Sequence, residues 1–303
     1  MAILIDKNTR VLVHNATSPY AEGMIAGMAD AGTNVVAGVA VGKCGQVHEG
    51  IALFDTVAQA VAASAANTSV LYVPAAGVAD AIVENVDAGI RLMVVVAEYV
   101  PVHDAVRALA YARARDAWVI GPNCVGLLSP GVGMLSAVPK EFAMPGPVGL
   151  ISRSGTMCLA MARVLTMRGL GQSTIVNIGG DAVIGRNQLD YVRLFEADAA
   201  TQVIVVLCEL GGTREYDLID AMPTLTKPVV ALVLGRYAPS ERRMGHAGAL
   251  ANNNNETAQA KRDAFRSAGV HVADSTYQVA EIVQKLLAKP GRTAVPASIA
   301  TTA

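Results

Sequence analysis

Twice along this chain, short Val/Ile/Leu runs of strand length alternate with alanine-rich stretches of helical pattern, and the alternation restarts around Pro145-Gly146-Pro147. No other feature limits the fold so strongly. Strands joined by helix-length connections pair in parallel, with the helices packed on both faces of the sheet. In the first half the runs fall at 11–14, 35–39, 70–74, 92–97 and 118–120, with helical stretches near 19–31, 55–64, 77–88 and 102–115. In the second half they fall at 148–152, 175–178, 203–208, 229–234 and 270–272, with helices from about 157 and over 256–267 and 277–289. Strands covered on both faces account for a composition of 52% hydrophobic and only 16% charged residues. The expectation is two α/β domains with mainly parallel sheets, 1–145 and 146–289, and a Pro/Ala/Thr-rich tail over 290–303.

Several function classes are disfavoured. No apolar run approaches the roughly 18 residues of a membrane span. The start, Met1-Ala2-Ile3-Leu4-Ile5-Asp6-Lys7, has neither the basic lead nor the long apolar core of a signal peptide. Cys44, Cys124, Cys158 and Cys208 are scattered without metal-ligand spacing, so they read as reduced thiols of a cytoplasmic protein, with no metal site expected. A net charge of -1 without any basic run argues against nucleic-acid binding.

In open parallel sheets ligands sit at the carboxyl ends of the strands, so the residues just after each strand matter most. After the first comes Asn15-Ala16-Thr17-Ser18-Pro19-Tyr20, where Ser18 has the character of an N-cap and Pro19 of a first helical residue. The spaced glycines of a dinucleotide fingerprint are absent, so no nicotinamide cofactor is expected. Gly42-Lys43-Cys44-Gly45 sets a lysine between glycines, a pattern that suits a phosphate and equally an ordinary surface loop. The later runs end at Tyr72-Val73-Pro74, Ala97-Glu98 and Gly121-Pro122-Asn123-Cys124, a ring of loops consistent with a long ligand.

In the second half, Arg153-Ser154-Gly155-Thr156 joins a strand to a helix, the arrangement in which free amides and the helix dipole hold an anion. A plain N-cap at Ser154 is the competing reading. Glu209 and His246 follow consecutive strands, and the histidine lies among small residues in Met244-Gly245-His246-Ala247-Gly248-Ala249. If those strands share one parallel sheet, both side chains belong to one edge, where a carboxylate fixes an imidazole's tautomer and supports its positive charge. A histidine in a loop is often only structural, and the spacing alone does not show that the two touch.

These pieces resemble the alpha subunit of succinate–CoA ligase along nearly the whole chain to about residue 289. The matching segments are Ile3-Leu4-Ile5-Asp6-Lys7-Asn8-Thr9, Tyr72-Val73-Pro74, Gly121-Pro122-Asn123-Cys124, Ser152-Arg153-Ser154-Gly155-Thr156, Gly179-Gly180-Asp181 and Arg243-Met244-Gly245-His246-Ala247-Gly248-Ala249. The resemblance implies an N-terminal Rossmann-like CoA-binding domain and a C-terminal flavodoxin-like ligase domain. It implies ATP or GTP with Mg on a separate ATP-grasp beta subunit, in a heterodimer or heterotetramer. His246 would carry a phosphoryl group from the nucleotide to a small carboxylic acid, giving an acyl phosphate that the CoA thiol attacks. Glu209 would hold the imidazole, and Ser154, Gly155 and Thr156 would cradle the phosphate. CoA would fall to Thr17, Ser18, Lys43, Tyr72, Val73, Pro74, Glu98 and Asn123.

The chain departs from the family pattern at definite places. The glycines of the family's CoA loop are absent from Asn15-Ala16-Thr17-Ser18-Pro19-Tyr20-Ala21, which keeps only the threonine, and Pro19 removes an amide donor. Val125 stands for the family's proline, and Pro139-Lys140-Glu141-Phe142 for its Pro-Gly-x-Ile segment. Met157-Cys158 replaces Tyr-Glu, and Leu250-Ala251-Asn252-Asn253-Asn254-Asn255 a glycine-rich stretch. The phosphohistidine centre is kept while the CoA loop and acid pocket differ. Three readings follow: an acid–CoA ligase alpha subunit, with succinate the default acid and another dicarboxylate the variant; a phosphohistidine ligase with an acceptor other than CoA; and a non-catalytic paralogue acting as scaffold or regulator.

Overall fold

The computed structural model describes residues 2–239 and 242–288. The expected tail and Glu241 lie outside the described residues. The first sheet contains β1 (Val11–His14), β2 (Val35–Val39), β3 (Val47–His48), β4 (Ile51–Phe54), β5 (Thr68–Leu71), β6 (Leu92–Val95) and β7 (Trp118–Ile120). Its helices are α1 (Met24–Asp30), α2 (Val57–Ser64), α3 (Val78–Asp87) and α4 (Val102–Arg113). The second sheet contains β8 (Gly126–Ser129), β9 (Gly133–Ser136), β10 (Pro145–Ser152), β11 (Gln172–Asn177), β12 (Val203–Glu209), β13 (Val229–Leu234) and β14 (His271–Ala273). With it go α5 (Gly155–Met167), α6 (Gln188–Ala197), α7 (Arg214–Ala221), α8 (Ala258–Ser267) and α9 (Thr276–Leu287).

The first sheet runs β3-β4-β2-β1-β5-β6-β7, parallel except for β3. Without that short edge strand it has the Rossmann order, whose direction of winding reverses between β1 and β5. The second runs β14-β13-β12-β10-β11-β8-β9, and its five parallel strands have the flavodoxin order, reversing between β10 and β12. The antiparallel hairpin β8–β9 is added against β11. The α/β class with two mainly parallel sheets therefore holds. Each sheet has a crevice at its reversal point, where neighbouring connections leave on opposite faces.

One local reading is corrected, and two features go beyond what the sequence offered. Ser18 and Pro19 do not begin a helix: α1 starts at Met24 after Gly23, whose φ of +72° a glycine adopts without a side-chain penalty. Ser18 Oγ instead accepts from the Ala21 amide in a tight turn. The pairs β3–β4 and β8–β9 were not expected, because strands of two to four residues show too little periodicity. The chain also changes sheets before Pro145: β8 and β9 already belong to the second sheet, and Pro145 opens β10.

One apolar cluster includes Val13 and Val70 of the first sheet, Leu127 and Leu135 of the hairpin, and Ile151 and Val205 of the second sheet. A smaller one lies under α2, α3 and α4 and contains Leu12, Ile82 and Leu109. The hairpin thus fuses the two sheets through a shared interior. No helix among the described residues is long and apolar enough to cross a membrane.

Candidate active site

Glu209 is the last residue of β12 and pairs with Leu234 at the end of neighbouring β13. After β13 the chain folds back over this edge and brings His246 Nδ1 to 2.8 Å from Glu209 Oε2. The carboxylate is only 5% exposed, and its Oε1 faces Arg153 Nε at 3.3 Å across the β10/β12 reversal point. The hydrogen bond that Nδ1 donates to Glu209 raises the imidazole pKa above its ordinary value, against the burial that lowers it. With Nδ1 taken by Glu209, Nε2 is the ring atom left for chemistry.

The surroundings fix the ring from below. It lies so close to Gly180 that a Cβ there would sit 2.8 Å from two ring carbons, so any side chain at 180 would displace the histidine. Arg153 Nε donates to Gly179 O and its Nη2 to Asp181 O, tying the ends of β10 and β11 together. Lys261, fully buried on α8, donates to the backbone oxygens of Glu209 and Gly211 and pairs with Glu215 at 2.7 Å.

Ser154 caps α5, its Oγ accepting from the Met157 amide, so the plain N-cap is real. It leaves an anion site as well: the amides of Ser154, Gly155 and Thr156 have no acceptor among the described residues. Asn177 shapes this turn by donating to Ser152 O and Arg153 O while accepting from the Val125 amide. A polar side chain inside the Ile175–Ile178 run is the signal that would have singled it out.

At the first sheet's reversal point, Asn15 takes a φ of +64°, a left-handed conformation that asparagine tolerates better than most residues. Its Nδ2 donates to Tyr72 O at 2.9 Å, so β1 and β5 stay linked without the glycine. Tyr72, Val73, Pro74, Glu98 and Asn123 come together around a cavity of about 440 Å³, with Tyr20 at its edge. Thr17, Ser18 and Lys43 do not line it. Five amides nearby are already occupied by carboxylates. Glu49 accepts from Gly23 N and Ala26 N at the start of α1, and Asp55 Oδ1 accepts from Gly42, Lys43 and Cys44 N. The Lys43 side chain stays exposed.

Asp181 joins the two edges. Its carboxylate accepts from Tyr99 N, Val100 N and Asn123 Nδ2, so the cavity loops are tied to the turn beneath His246.

The sequence profile for the CoA binding domain matches residues 6–99, and that for CoA-ligase matches 151–271. The chain is 42% identical over 287 residues to succinate–CoA ligase [ADP-forming] subunit alpha 2 of Archaeoglobus fulgidus, covering 95% of this chain and 100% of that one. It is 41% identical over 290 residues to the corresponding alpha subunit of Aquifex aeolicus, covering 95% of each. ATP citrate lyase of Methanosaeta concilii, solved with (3S)-citryl-CoA, superposes with a TM-score of 0.84 at 31% identity over 94% of this chain. The chain spans 50% of that lyase's length. A dinucleotide-forming acetyl-coenzyme A synthetase of Ca. Korarchaeum cryptofilum shares the fold, with a TM-score of 0.76 at 20% identity over 92% of this chain and 61% of its own. Matched over 95% of its length by such relatives, the chain belongs to the succinate–CoA ligase alpha-subunit family.

Proposed function

We propose that this chain is the alpha subunit of an acid–CoA ligase that works through a phosphohistidine at His246. The observation that carries the reading is the Glu209–His246 hydrogen bond, beside a helix start whose Ser154, Gly155 and Thr156 amides are open. Glu209 holds the proton on Nδ1, which leaves the Nε2 lone pair to accept a phosphoryl group. It also supports the positive charge that grows on the ring as the bond forms. The open amides and the positive end of α5 then stabilise the added phosphate, and the packing of Gly180 against the ring keeps its aim. Phosphoryl transfer from this ring to a carboxylate gives an acyl phosphate, the activated form that a thiol can attack.

CoA supplies that thiol. Tyr72, Val73, Pro74, Glu98 and Asn123 offer a largely apolar cavity for part of it, and Lys43 a cation for a phosphate. The nucleoside triphosphate and its Mg belong to an ATP-grasp beta partner. Succinate is the default acid and another dicarboxylate the variant. The first sheet serves as the CoA unit and the second as the ligase unit.

Incubation with the beta partner and labelled ATP tests the central claim: base-stable, acid-labile label on the wild-type chain and none on a folded His246→Asn variant. Label retained by the variant removes His246 from its role. A second reading, a phosphohistidine ligase whose acceptor is not CoA, draws on one observation, the Glu49 and Asp55 carboxylates seated on the amides of the first edge. Calorimetry with CoA separates the two readings.

A further inference from the structure

A cavity of about 230 Å³ lies between the start of α7 and the loop that follows His246. That is smaller than the roughly 300–1,000 Å³ of pockets that enclose drug-sized ligands. Its walls carry two guanidinium groups, Arg153 and Arg214, along with Gly211, Gly212 and Gly248. It takes no wall from Ser154, Gly155, Thr156 or His246, although Arg153 and Ala247 are their chain neighbours.

The cavity wall carries two guanidinium groups and two carboxylates, and of these only Arg214 lacks a hydrogen-bonded partner among the described residues. Arg153 is engaged by two carbonyls and Glu209. Arg214, half-buried, has no hydrogen bond or ion pair among the described residues. Both carboxylates on the wall are held elsewhere: Glu215 by Lys261 and Gln188, Glu256 by Asn252 and Asn253. Burial, then the like charges of Arg153 and Arg113, push the Arg214 guanidinium below its usual pKa, against the opposing pull of Glu215 and Asp217. The Arg214 nitrogens are not buried away from solvent, and an oxyanion is the group that a free guanidinium fork receives in two parallel hydrogen bonds.

We infer that this cavity is a second oxyanion site, in which Arg214 receives a carboxylate or phosphate group of a small ligand. Occupancy bears directly on the histidine loop, because Gly248 packs on Arg153 so tightly that a Cβ there would lie 2.6 Å from Nη2. The inference rests on the ligase reading where the oxyanion is the far carboxylate of a dicarboxylic acid. A free phosphate ion acting as an effector is the other source of the same chemistry.

Hydrogen exchange on the full chain, alone and with its beta partner, tests this without turnover. The peptides to follow cover residues 210–216 and 247–252, with 154–158 as the separate amide site, and the probes are inorganic phosphate and succinate. Phosphate is expected to slow exchange in the first two peptides of the wild type. In Arg214→Ala the concentration needed should rise at least about tenfold, the loss of a charge-assisted contact, with partial recovery in Arg214→Lys. Succinate protection of the same peptides assigns the site to the acid; protection by phosphate alone assigns it to an effector. Absence of protection in the wild type, or equal protection in a folded Arg214→Ala variant, overturns the inference. Unlabelled His246 together with intact Arg214-dependent protection would sink the ligase reading and leave this site standing.

Discussion

The two sheet edges are built alike and finished differently. At the first, the Gly23 and Ala26 amides are occupied by Glu49, and those of Gly42, Lys43 and Cys44 by Asp55. At the second, the α5 amides are open and Arg214 has no acceptor among the described residues. A carboxylate supplied by the fold satisfies helix-end donors permanently, which stabilises the apo protein and sets a threshold for any incoming anion. The first edge therefore favours ligands that bind through an apolar body, and the second favours ligands that bring charge.

The largest expected effect breaks the second edge from inside. Lys261→Met leaves Glu215 buried without its cation and frees the backbone of Glu209. It should cost about 3–5 kcal/mol of stability in urea unfolding. A loss under about 1 kcal/mol would mean that Lys261 does not organise this edge.

Glu209→Gln sharpens the comparison through pH. Because Glu209 raises the His246 pKa, the pair stabilises the fold fully below the ordinary imidazole range, and this is lost as pH rises through the raised folded value. The labelling rate should rise over that same window as the ring becomes neutral. The variant should shift the rise to lower pH and slow labelling; superimposable wild-type and variant profiles would break the link.

The smallest effects belong to the first edge and carry opposite signs. Lys43→Ala should weaken CoA binding about fivefold, and Glu49→Gln should strengthen it by a similar factor, each worth about 1 kcal/mol for a partly screened charge. Calorimetry at low and high salt checks both. If neither moves, CoA's phosphates do not approach this edge.

Much of the architecture was legible because buried parallel strands announce themselves as Val/Ile/Leu runs. Glu209 and His246 could be placed at one edge because they follow consecutive strands, which the sheet order then sets side by side. The start of α1 was misread because Ser18-Pro19 carries the local signals of a helix start, while a turn reaching Gly23 prevails. Arg214 was invisible for another reason. Its importance comes from a cavity closed by a loop more than thirty residues away, and a local pattern cannot report a missing acceptor. Glu49 escaped notice in the same way, since its partners lie at the start of α1, more than twenty residues earlier.

The hairpin β8–β9 also limits how this protein can be taken apart. A fragment beginning at Pro145 would keep β10 to β14 but lose the two strands that cover β11. Ile175 and Val176 would then form an open edge, with unpaired backbone groups inviting self-association. Modularity in this chain therefore does not follow its Pro-Gly-Pro break: a separable ligase half has to begin before Gly126, carrying its own edge protection with it.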